Sequence, residues 1–274
     1  MRAWLFTALA MVAFAGNSLL CRAALKGTTI DAASFTTIRM VSGAIALWII
    51  VRVRDGARPM EGSWMSGFWL VAYAIAFSFA YLTLTAATGA LLLFGAVQAT
   101  MIGVGLWRGE RFSPVQLAGL ALALGGLAGL LLPGVSAPPA LGAALMLFAG
   151  LSWGFYSLRG RGAGDATRVT TGNFIRAIPF AVLASAATFA HAAADVQGVL
   201  LAIASGALTS GVGYAIWYTA LPSLKATVAA TVQLSVPVIA AVGAVTLLGE
   251  SPTLRLVACS VAILGGIGLV VRAR

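Results

Sequence analysis

The chain has 274 residues, of which 61% are hydrophobic and only 9% charged, whereas a soluble domain carries roughly 25% charged residues. It cannot cover itself with a wettable surface, and its mean hydropathy of +1.00 leaves no polar block large enough for a separate globular domain, which excludes a soluble enzyme on a membrane anchor. The net charge of +10 is strung singly between apolar runs and reads as a topology signal, so no nucleic-acid partner is expected.

Roughly 20 apolar residues cross a hydrocarbon core of about 30 Å as a helix, and the sequence divides into ten such segments. The first, residues 3–21, follows Arg2 and superficially looks like a secretory leader. Its apolar run outlasts a signal core of roughly 7–15 residues, and Leu20 stands where lipoprotein cleavage wants a small side chain, so an uncleaved span is predicted. The second (34–51) ends at RVRDGARPMEGS, the third covers 65–84, the fourth (88–107) runs into RGERFSP, and the fifth (115–132) into PGVSAPP. The sixth (140–158) ends at RGRGAGDATRV, the seventh covers 171–190, the eighth (198–218) runs into LPSLK, the ninth (227–248) into GESP, and the tenth covers 254–271. Gly, Pro and charge mark the breaks. Barrel strands would alternate apolar and polar residues, and these runs are continuously apolar, so the predicted class is an all-α integral membrane protein. Cys21 and Cys259 both lie in apolar stretches, which predicts neither a disulfide framework nor a metal site.

Placing both termini in the cytoplasm collects Arg2, Arg52, Arg54, Arg58, Arg108, Arg111, Arg159, Arg161, Arg168, Arg176, Lys225, Arg272 and Arg274 on the inner side. Only Arg22, Lys26, Arg39 and Arg255 remain outside. An even number of spans agrees with this positive-inside bias.

The chain also repeats itself at about half its length. Gly109-Glu110 recurs as Gly249-Glu250 and Gly125-Gly126-Leu127 as Gly265-Gly266-Ile267, both at an offset of 140, while Ile38-Arg39 faces Ile175-Arg176 at 137. Two units are therefore expected, residues 1–135 and 136–274. Five passes per unit is odd, so the second enters the membrane from the opposite side and the two are inverted. Inverted repeats around a midplane site are characteristic of secondary transporters.

The Gly-Glu that closes the fourth span of each unit, the Ser-Pro that follows (Ser113-Pro114, Ser251-Pro252), and Pro237 thirteen residues before Glu250 resemble the drug/metabolite transporter superfamily in its EamA-type branch. The likeness covers essentially the whole chain and is greatest to bacterial aromatic amino acid exporters. The first unit has Val97-Gln98 where the second has Pro237. The resemblance implies an exporter of small metabolites, multi-pass in the bacterial inner membrane, with ten transmembrane helices around a central cavity.

Polar and amphipathic side chains inside spans are costly unless they face protein or a wet cavity. The candidates for a substrate site are Asn17, Tyr81, Gln98, Trp153, Tyr156, Tyr214, Trp217 and Gln233. Gln98 and Gln233 occupy related places in the two units, where a pseudo-symmetric cavity would put them, and aromatic rings suit a flat or apolar cargo. The competing reading of the amides is interhelical packing, and Trp4, Trp64 and Trp107 sit where interface belts lie. The pairs Gly125/Gly129 and Gly150/Gly154 are expected to let helices approach. Glu110 and Glu250 abut span ends and read as caps or surface ion pairs. Arg39 and Arg176 are expected to snorkel to headgroups, with a substrate carboxylate as the alternative partner.

Enzymatic chemistry lacks parts: Asp165 stands in a charged loop without a partner, His191 lies in a loop, and there is no metal-ligand cluster. No cofactor is expected. The sequence thus predicts a carrier of neutral or zwitterionic metabolites, foremost aromatic and other apolar amino acids, since the spans hold no carboxylate for a cationic cargo. A multidrug or other metabolite exporter of the same superfamily is the runner-up, followed by a channel or structural bundle. The expected partners are a small-molecule substrate and membrane lipid, with a monomer as the working unit.

Overall fold

Short polar side chains set where five of the helices begin. Asp31, Ser63, Asp165 and Asp195 each accept a hydrogen bond from a backbone N–H of the following first turn, and Ser113 forms a capping box with Gln116 ahead of Pro114. These caps satisfy donors that a helix start leaves orphaned. The computed structural model describes residues 2–107, 109, 113–132, 134, 137–160, 164–220, 223–224 and 232–272. Within them the helices are α1 (Arg2–Gly27), α2 (Ala32–Asp55), α3 (Trp64–Tyr81), α4 (Ala86–Trp107), α5 (Pro114–Leu131), α6 (Ala140–Arg159), α7 (Ala166–Ala187), α8 (Val196–Ala220), α9 (Ser235–Leu248) and α10 (Leu254–Arg272). There is no strand among the described residues. Helices α1 to α8 are long and apolar enough to cross a membrane, while α9 and the apolar part of α10 (Leu254–Val270) are shorter. The first five residues of the predicted ninth span, 227–231, lie outside the described residues, as do Glu110, Arg161 and Lys225.

Neighbours in sequence are mostly not neighbours in space. Helix α3 packs chiefly on α6 and α7, α4 on α6 and α9, α1 on α8 and α9, and α2 on α7 and α8, whereas α5 lies along α10 and meets the rest mainly through α4. Between lipid-solvated helices the attraction is close packing, which small residues permit. Added methyls at Gly150 and Gly154 would fall 2.5 Å from Ala96 and 2.8 Å from Thr100, so these glycines seat α6 on α4. On α5 the contact is made by Gly119 and Gly126, which face Gly266 and Ile263 of α10, while Gly125 faces open space and Gly129 makes only ordinary contact with Cys259.

Each end of the bundle is stitched across the chain's two halves. At the arginine-rich end, Arg54 pairs with Asp165 and Arg168 with Glu61, each at 2.7 Å; Asn173 Oδ1 accepts from the Ser63 N–H at 2.9 Å. At the opposite end, Asp31 accepts from the backbone of Ala33, Ser34 and Ala193. Burial raises the Asp31 carboxyl, but these bonds outweigh it and hold the group below the ordinary value of 3.8. A depressed carboxyl stabilises the fold above its unfolded value and loses that contribution as pH falls through the folded one. Wild-type protein in detergent is therefore expected to lose Tm below pH 3.8, with a smaller acid drop for Asp31→Asn; an unchanged acid limb would dismiss the cap.

Candidate functional site

Helix α8 departs from regular winding at the place where polar side chains gather. Residues Ala204–Val212 form a π-helix between two α-helical turns, a winding that is rare and concentrates at functional sites. From this stretch Ser205 Oγ donates to Asn17 Oδ1 at 2.7 Å, Thr209 reaches the same oxygen at 3.4 Å, and Ser210 Oγ accepts from Arg39 Nε at 3.3 Å. Asn17 Nδ2 in turn donates to the Tyr73 hydroxyl at 3.2 Å, and Arg39 Nη2 donates to that same oxygen at 3.0 Å. Four helices thus meet in one polar cluster: α1, α2, α3 and α8.

Beside the cluster is a small cavity of about 30 Å³. Its wall is drawn from α1 (Phe14, Asn17, Ser18), α3 (Tyr73, Phe77), α4 (Leu93, Phe94), α6 (Trp153), α8 (Thr209, Tyr214) and Gln233, just before α9. Trp153 is the hub of the aromatic part, with its ring centroid 4.9 Å from that of Tyr73, 5.3 Å from Tyr214 and 5.3 Å from Tyr156. Phe14 meets Tyr214 edge-on at 5.7 Å. One end of this space therefore offers hydroxyls and amides and the rest offers ring faces, the composition of a small-molecule site.

Of the residues singled out from the sequence, the structure brings Asn17, Trp153, Tyr214 and Gln233 together on this wall. Tyr156 and Trp217 stand one layer behind it, against Trp153 and Phe14. Tyr81 is fully buried nearer the Glu250 end, its ring 4.7 Å from Phe77. Gln98 lies apart, in a cleft between α4, α5 and α10 lined by Leu120, Leu127 and Ile263. The pairing of Gln98 with Gln233 is thus not spatial, because on α4 Gln98 lies with Gly95, Ala99 and Ile102 along the cleft, whereas Leu93 and Phe94 meet the cavity. Phe14, Tyr73, Phe77 and Thr209 belong to this wall in addition to the residues expected from the sequence. The available signal was Tyr73, Phe77 and Tyr81 at four-residue spacing, which puts three rings on one helix face.

Two expectations change. Arg39 does not snorkel: it is 0% exposed, because α2 starts at Ala32 and carries it about 10 Å inward from the helix end. Its guanidinium lies 5.2 Å from the Tyr73 ring centroid and 5.1 Å from that of Phe77. Arg176, 137 positions on in the sequence, is only partly buried and donates to the carbonyls of Glu61 and Gly172. Glu250 is not a surface pair: at 8% exposure it accepts from Arg22 Nε at 3.0 Å and from the Ala86 N–H at 2.8 Å, so it caps α4 from across the molecule. Arg22 also donates to the Tyr81 carbonyl at 2.8 Å. Gly249, with φ of 62°, turns the chain left-handed at the end of α9 and points Glu250 inward.

Residues 140–272 match the model of the EamA-like transporter family. An uncharacterised protein of Pseudomonas aeruginosa is 55% identical over 274 residues, which is 100% of this chain and 96% of that one. A solved protein crystal structure shares the fold with a TM-score of 0.68 at 18% identity, over 99% of this chain and 98% of its own.

Proposed function

The chain belongs to the EamA-like transporter family, and from that membership we propose that it is a secondary carrier exporting small neutral or zwitterionic metabolites, foremost aromatic and other apolar amino acids. It works by alternating access in the bacterial inner membrane, with both termini cytoplasmic and residues 1–135 and 136–274 as two inverted five-helix repeats. The observation that carries this reading is the cavity where α1, α3, α4, α6, α8 and the approach to α9 converge. Exchanging each helix for the one five places on maps α3 on α6 to α8 on α1, α4 on α6 to α9 on α1, and α3 on α7 to α8 on α2, and leaves α2 on α7 and α5 on α10 unchanged; every one of these packings occurs. A cavity walled by both halves and related by such an exchange can open to either side by one rearrangement and its mirror image.

Proteoliposomes test it. Flux of phenylalanine, tryptophan, leucine, methionine or threonine is expected to saturate with concentration, as carrier turnover does and a channel's flux does not. If none of the five moves or competes, the amino acid cargo is withdrawn and the multidrug alternative takes its place. Truncating the hub ring, Trp153→Ala, is expected to raise the half-saturating concentration for tryptophan about tenfold while leaving that for threonine nearly unchanged. Equal effects on both would remove Trp153 from the recognition surface.

A further inference from the structure

Arg39 is a cation sealed within the bundle without a counter-charge among the described residues. No carboxylate of the described residues comes within 4.0 Å of it, and its Nη1 is buried without an acceptor among them. A charge so placed is costly unless its function requires it. The surrounding groups soften that cost only in part, through one tyrosine oxygen, one serine oxygen and two ring faces.

The same geometry decides what Tyr73 does. Its hydroxyl oxygen accepts from Arg39 Nη2 and from Asn17 Nδ2, which occupies both lone pairs and leaves the O–H to donate. Tyr73 is among the lining residues, so an acceptor placed in the cavity can take that proton, and the guanidinium behind it would strengthen the donor. None of the eleven lining residues is acidic, so an ammonium finds there only neutral oxygens and ring faces. A carboxylate entering the cavity meets a polarised donor backed by an unneutralised cation, whereas an ammonium meets the same cation with no anion to offset it.

Resting on the carrier reading above, we propose that the cargo is recognised by its carboxylate, which accepts from Tyr73 and neutralises Arg39, and that an amino group is dispensable. The substrate class is then aromatic and apolar monocarboxylates, of which the amino acids are one subset and the deaminated acids another.

Three compounds of one shape separate the possibilities in proteoliposomes holding the full chain: phenylalanine, 3-phenylpropionate and phenethylamine, each offered as a competitor of labelled phenylalanine and as a cargo for counterflow. The acid is expected to compete at least as well as phenylalanine, and the amine to be weaker by about tenfold or more, the effect of one charge-assisted contact. Tyr73→Phe, which keeps the ring, and Arg39→Met are each expected to reduce the preference for acid over amine by about tenfold, and the wild-type comparison stands even where a variant fails to fold. If phenethylamine competes as well as the acid, or the preference survives in both variants, the carboxylate assignment is overturned while the carrier reading stands. If none of the three binds or moves, both are overturned.

Discussion

Replacing Glu250 by alanine is expected to lower the unfolding free energy by about 3–5 kcal/mol, the usual result of removing one member of a buried ion pair. The loss has two sources. Arg22, whose side chain is 12% exposed against 5% for Glu250, keeps its charge and loses the carboxylate, and α4 loses the acceptor for its Ala86 N–H. Glu250→Gln, which leaves an oxygen for that N–H, is expected to cost less than alanine. The double variant Arg22→Met/Glu250→Leu is expected to recover most of the loss, because well-packed apolar pairs often match buried ion pairs. Guanidinium-free thermal unfolding in detergent, followed by helical circular dichroism, checks all three. A Glu250→Ala protein as stable as the wild type would mean that the contact contributes nothing to the fold.

The other large effect belongs to Gly206, in the π-helical part of α8. A methyl group there would land on the Ser42 hydroxyl and on the main-chain carbonyl of Arg39, and 2.9 Å from the carbon of that carbonyl. Side chains can rotate away, but backbone cannot, so α8 must lift off α2. Gly206→Ala is expected to cost about 1–3 kcal/mol and to lower phenylalanine flux more than tenfold, since the lift separates Ser210 from Arg39. Gly265→Ala is the contrast: nothing lies within 4 Å of its added methyl, and better helix propensity is expected to stabilise by up to about 1 kcal/mol. Opposite signs for one chemical change in two helices are the test; matching signs would remove close approach as the cause.

The helices were legible because lipid leaves the backbone no alternative: continuous apolar runs broken by Gly, Pro and charge located α1 to α8, with no boundary more than six residues out. The largest departures are the end of α1, which runs on to Gly27, and the start of α7, which begins at Ala166. A capping aspartate lengthened α2 back to Ala32, and that two-residue shift is part of what buries Arg39 instead of bringing it to the headgroups. Glu250 was visible as a repeated Gly-Glu but not as a cap for a helix 164 positions away, since no local pattern records which distant helix start a loop will reach. The site was half legible. Intramembrane polarity pointed to Asn17 and Gln233, and ring chemistry to Trp153 and Tyr214. Residues of ordinary apolar type, such as Phe14 and Leu93, carry no mark that distinguishes a cavity wall from a lipid face. Gln98 carries a mark but faces the α5–α10 cleft, because polarity shows that a side chain avoids lipid and not which interior it enters.

The under-wound nine residues of α8 have a mechanical meaning. A rod that changes pitch partway along can be rewound without being broken: taking Ala204–Val212 from i→i+5 to i→i+4 bonding would swivel Tyr214 and Trp217 about the axis while Val196 stays put. Thr209, which lines the neighbouring cavity, sits on the swivel itself, so a push on it from that space would reach the aromatic half of the rod as rotation, with no hinge loop needed.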